Sequence, residues 1–144
     1  MASKIVVGYD GSTSARSALD FALNVARAQG GSIVVAHVLE WSPYSFLSAE
    51  ELAERHKRRS EELERAEQAL IKPLLKDMET SGVDVTAEVK YGNIAEVLVK
   101  IAKSETADLI VIGRTGHSAL SSRLFGSVAG TLAQAAPVPV TIVP

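Results

Sequence analysis

Short apolar runs and longer amphipathic stretches alternate along the chain. Residues 4–9 (KIVVGY) form a β-branched run that ends in Asp10, Gly11 and Ser12, a turn signal whose serine suits a helix N-cap. Over residues 15–28 apolar side chains recur at helical spacing, at Ala15, Ala18, Leu19, Ala22, Val25 and Ala26, and Gly30 and Gly31 stand where a C-cap belongs. Residues 32–39 are almost continuously apolar, the mark of a strand covered on both faces in a parallel sheet. Residues 40–48 (EWSPYSFLS) make an irregular loop that carries the single tryptophan. A charged segment over 49–80 follows, with one apolar stripe of Leu63, Ala66, Leu70, Leu74 and Met78. Pro73 lies inside it, lacks an amide donor and clashes one turn back, so it should kink or divide the helix. Residues 83–90 alternate apolar and polar, as in a strand with one wetter face at a sheet edge. Asn93 caps a helix over 94–103, and residues 108–112 (DLIVI) form a fourth strand apolar on both faces. A glycine-punctuated loop over 113–126 then leads into a last helix to about 136 and a final strand, Val140–Val143.

Strands alternating with helices imply right-handed crossovers. The expected fold is α/β: an open, Rossmann-like, five-stranded parallel sheet in the order 3-2-1-4-5, helices on both faces, with residues 1–144 as one domain. The 47% hydrophobic content is enough for a sizeable core. The formal charge of -2 gives a nucleic-acid partner no electrostatic support. With no cysteine, disulfides and thiolate metal sites are excluded. Asp10 comes too soon after Lys4 for a secretory leader. Apolar runs are strand-sized, well short of the roughly 18 residues of a membrane span. We expect a cytoplasmic protein with no membrane partner.

In an open sheet of this kind, ligands bind beyond the carboxyl ends of the strands, where the winding reverses. Two loops have the composition for that place. One holds Gly8, Tyr9, Asp10, Gly11 and Ser12; the other holds Gly113, Arg114, Thr115, Gly116, His117 and Ser118. Gly113, Gly116 and Gly126 stand in the spacing G-x2-G-x9-G, with Ser127 directly after the last. Glycines let backbone amides approach phosphate oxygens with no Cβ in the way. Gly126 and Ser127 are expected to open the final helix, whose free amides and positive dipole end favour an anion. Any one of these glycines alone would be read as an ordinary turn residue.

This pattern resembles the ATP-binding motif of the universal stress protein family, and the resemblance covers the whole chain. It is carried by IVVGYDGS, VAHV, ADLIVIGRTGHS, LFGSVAGTLAQAAPVPV and the β-branched finish. By that resemblance, the Asp10 carboxylate takes the ribose hydroxyls, the Val38 backbone reads the adenine edge, and Ile112 and Gly113 line the base and ribose. Gly116, Gly126, Ser127 and Val128 hold the phosphates. Magnesium would sit mainly on phosphate oxygens, since no carboxylate cluster is evident to hold it alone. Gly130 departs from the pattern: similar sequences usually carry a helix former there, and glycine costs about 1 kcal/mol against alanine.

Arg114 and Arg123 flank the phosphate loop and can reach a γ-phosphate or face solvent, and the same two readings hold for His117. His37 reads as a packed histidine within an apolar strand. Trp41, Tyr44 and Phe46 form either a satellite apolar cluster or a lid over adenine. No GxxxxGK[ST] loop and no HExxH motif are present. The expected function is therefore a nucleotide-responsive regulator in stress adaptation, acting on a protein partner that the sequence does not name. The alternatives are a slow ATPase or phosphotransferase, or a scaffold that binds no nucleotide. A homodimer through Val140–Val143 is also expected, because an apolar edge strand invites pairing. Pro139 is taken to face away from strand 4, which places the Thr141 amide on the outer edge.

Overall fold

The computed structural model describes residues 3–40, 48–114 and 121–144, the last group as backbone only up to residue 127. The elements run β1 (Lys4–Gly8), α1 (Thr13–Gln29), β2 (Ser32–Glu40), α2 (Ala49–Ala66), a π-helical turn (Glu67–Ile71), α3 (Lys72–Met78), β3 (Asp84–Gly92), α4 (Ile94–Ser104), β4 (Leu109–Gly113), α5 (Ser121–Ala135) and β5 (Val140–Val143). All five strands are parallel and ordered β3-β2-β1-β4-β5, as the alternation predicts. β1 lies in the middle, and its Ile5, Val6 and Val7 are fully buried. The alternating Cβ directions of the strands divide the core in two. Ile5, Val7, Ile33, Val35 and Val111 pack against α1 and α3, whereas Val6, Val34, Ala36, Ile110 and Ile112 pack against α4 and Leu132 of α5. Each fully buried Leu or Ile contributes roughly 1.5–3 kcal/mol.

Local chemistry sets the helix ends. Ser12 Oγ accepts the amide of Ala15 at 3.1 Å, and Gly30 closes α1 in the left-handed region at φ 70°. Asn93 Oδ1 accepts the amide of Glu96 and caps α4. Pro73 does divide its segment, through the π turn that immediately precedes α3. The extra residue per turn advances the buried face by one position, so Ile71 is fully buried while Leu70 is only half-buried. β4 begins one residue later than its apolar pattern suggests. Asp108 instead closes the entry, its amide donating to Lys4 O and its carboxylate accepting the Lys4 amide.

Two expectations are corrected. α5 starts at Ser121, so Gly126 and Ser127 fall in its second turn rather than at its beginning. Leu124, Val128 and Leu132 already share a helical period, and a single glycine weakens a helix without ending it. The free amides at the start of that helix include those of residues 121–123. The second correction concerns β5. The Ile110 amide donates to Pro139 O at 3.0 Å, and the Arg114 amide to Val143 O at 2.7 Å. Backbone groups alternate sides along a strand, so Pro139, Thr141 and Val143 all turn their backbone groups toward β4. The outward groups are those of Val140 and Ile142. A proline carbonyl still accepts, and that acceptor decides which way Pro139 faces.

Candidate functional site

The winding reverses between β1 and β4: β1 continues to β2 on one side, β4 to β5 on the other. Three segments converge at the carboxyl ends of these two strands. The first is the turn after β1, where Asp10 Oδ1 accepts the amide of Ser12 at 2.9 Å and Gly11 lies at φ 82°. One Asp10 oxygen thus serves the turn, so this residue is in part the ordinary turn aspartate its neighbours suggest. The second segment is the first turn of α1. The third is the end of β4, where Gly113 meets that turn. A Cβ on Gly113 would lie 2.5 Å from Ser14 Oγ and 2.7 Å from the carbonyl carbon and oxygen of Ser14. Only glycine lets α1 come this close. Gly8 is crowded less severely, with a Cβ 3.2 Å from Ile112 Cγ2.

Around this crevice Tyr9 is half-buried, its amide donating to Ala36 O at 2.9 Å. Ile112 is buried, and Val38 and Val128 are partly buried on the α4 face. Arg114 is exposed, and its backbone amide is committed to β5. Gly116 and His117 lie outside the described residues, as do Trp41, Tyr44 and Phe46. Gly126 and Ser127 are placed by backbone alone, and nothing is said of the side chain of Arg123. Among the described residues, no group of three or more His, Cys, Asp or Glu side chains could hold a metal ion. No described helix is long and apolar enough to cross a membrane.

Two contacts were not read from the sequence. His37 Nδ1 lies 2.7 Å from the carbonyl oxygen of Tyr9; the one signal was a histidine in an apolar run. Farther out, Tyr91 donates its hydroxyl hydrogen bond to Glu62 of α2, and the Arg59 guanidinium stands 5.1 Å from the centre of its ring. The bond to the Glu62 carboxylate, followed by burial, raises the Tyr91 pKa above its ordinary 10.0.

Comparison with known proteins agrees with this architecture. The universal stress protein family matches residues 1–144. A universal stress protein of Thermus aquaticus is 36% identical over 144 residues, covering 99% of each chain. One from Methanocaldococcus jannaschii is 35% identical over 140 residues, covering 97% of this chain and 81% of its own. Among solved structures, the universal stress protein UspA from Lactobacillus plantarum has a TM-score of 0.80 at 22% identity, with 99% of this chain and 97% of that one covered. A universal stress protein in complex with cAMP has a TM-score of 0.67 at 26% identity, covering 99% and 96%. The chain belongs to the universal stress protein family.

Proposed function

We propose that the chain binds ATP in the crevice beyond β1 and β4 and acts as a nucleotide-responsive regulator. The observation that carries this is the convergence at the switch point, where Gly113 admits the first turn of α1 and the Asp10 turn sits beside it. The cAMP complex of a relative at 26% identity supports an adenine nucleotide as the ligand class. Asp10 has one carboxylate oxygen in its turn and directs the other to ribose hydroxyls. Val38 offers its backbone to the base, Ile112 and Gly113 line base and ribose, and the phosphates fall to the segment that runs from Gly113 through Gly116 to Gly126, Ser127 and Val128. Magnesium would enter on the phosphate oxygens and screen their charge, since no described acidic cluster competes for it.

Denaturing the purified protein and identifying any released nucleotide gives the first test, and isothermal titration with magnesium and ATP gives the second. Asp10→Ala and Gly126→Val should each lower affinity at least about tenfold, or roughly 1.4 kcal/mol. No heat and no saturation at millimolar ATP would overturn the proposal.

The same proposal includes a homodimer through β5. The outward amides of Val140 and Ile142 are the ones to pair, and Ile142 is 45% exposed beside a groove lined by Leu132, Ala133 and Ala136. Ile142→Pro removes an outward donor and should give a folded monomer by light scattering. Thr141→Pro should instead break the ladder to β4 and destabilise the sheet.

A further inference from the structure

His37 interrupts the apolar run of β2 and is only half-buried. Its Nδ1 sits 2.7 Å from the carbonyl oxygen of Tyr9. A carbonyl oxygen only accepts, so Nδ1 carries the proton of this bond. The partner is telling. The β1–β2 register ends at Gly8 opposite Ala36, and the final rung is the Tyr9 amide donating to Ala36 O. In a parallel ladder, the donor for the Tyr9 carbonyl would be the amide two residues beyond Ala36, which is that of Val38. The His37 ring occupies that role instead. Because backbone groups alternate sides, the Val38 amide and carbonyl face the same side as those of Ala36, where β1 has ended and the chain has turned through Asp10 into α1.

We infer that His37 is a positioning residue for the peptide that reads the base. By capping the Tyr9 carbonyl, it keeps the Val38 amide out of the ladder and presents it, with its carbonyl, to the edge of an adenine ring. The same bond fixes the path of Tyr9 directly before Asp10. This inference rests on the nucleotide proposal above, and it assigns the base preference of the crevice to a side chain that does not itself touch the base.

Two variants separate the cap from simple packing. His37→Phe keeps a ring and loses the donor. The half-buried Tyr9 carbonyl then needs another partner, because an acceptor partly withdrawn from water is costly to leave unpaired, and Val38 N–H is the nearest in register. His37→Asn keeps an N–H on the atom bonded to Cγ, the position Nδ1 occupies in histidine, and so preserves the cap. Without nucleotide, amide exchange at Val38 should slow in His37→Phe and stay at the parent rate in His37→Asn. The ATP-to-GTP affinity ratio should fall roughly tenfold in His37→Phe, or about 1.4 kcal/mol, and be kept in His37→Asn. If the parent binds ATP and His37→Phe leaves both the ratio and Val38 exchange unchanged, the role of His37 is overturned. Equal loss in both variants would overturn it too, since the ring alone would then matter. A parent that binds neither nucleotide overturns the nucleotide proposal and the base-reading role together, and Val38 exchange in the variants would still report whether the cap exists.

Discussion

α1 and α2 are nearly equal in length and each is capped by a serine hydroxyl, Ser12 for the first and Ser48 for the second. Yet α1 buries seven of its 17 residues and α2 none of its 18. The alanines of α1 let it lie close on the sheet, with Leu19 and Leu23 filling the space between. α2 is rich in Glu and Arg and reaches the edge strand β3 through Tyr91, Glu62 and Arg59. The helix that frames the crevice is fixed by packing, and the helix at the far edge by polar contacts. Burial is therefore far greater along the helix that frames the crevice than along α2.

The comparison breaks most visibly at Leu19, which is fully buried. Leu19→Ala should cost about 2–5 kcal/mol in urea unfolding, from lost transfer energy and the cavity left behind. Gly113→Ala comes next. Its Cβ meets the backbone of Ser14, which cannot swing aside as a side-chain tip can, so we expect a loss of about 1–3 kcal/mol and a displaced α1.

Tyr91→Phe should cost only about 1 kcal/mol, with faster amide exchange confined to α2. The same contact gives a pH signature. The folded-state pKa of Tyr91 is raised, so its contribution is complete below the ordinary value of 10.0 and is lost as pH rises through the raised value. Stability measured by urea unfolding should therefore fall on the alkaline side as Tyr91 ionises, and Tyr91→Phe should remove that part of the fall. Leu52 is 55% exposed on α2. Leu52→Ala should fall within about 0.5 kcal/mol of the parent by the same unfolding assay. A large loss there would mean that α2 is held by packing after all.

The same contrast explains what could be read from the sequence. The Ser12 and Asn93 caps, the Gly30 terminus and the break at Pro73 were legible because each is a local rule acting on near neighbours, and the parallel sheet was legible from the alternation of strands and helices. The shift of burial from Leu70 to Ile71 was not, because a π turn changes the helical period that the pattern assumes. The start of α5 was misplaced because Gly126 was weighed as a punctuator ahead of the period of Leu124, Val128 and Leu132. The facing of β5 depended on one acceptor, the Pro139 carbonyl, where the missing Pro139 donor had been taken as the guide. Gly113 was expected to line the base and ribose, and the neighbour that requires a glycine there turns out to be Ser14 of α1, from the opposite end of the chain. The bond from His37 to Tyr9 joins two strands whose pairing had to be known first.

Amide chemical shifts during a titration with magnesium and ATP test the central claim most directly. We expect saturable shifts at Asp10, Val38 and Gly113, with α2 from residues 49–66 left unmoved. Saturation with shifts confined to α2 or β5, or no saturation at millimolar nucleotide, would contradict the account.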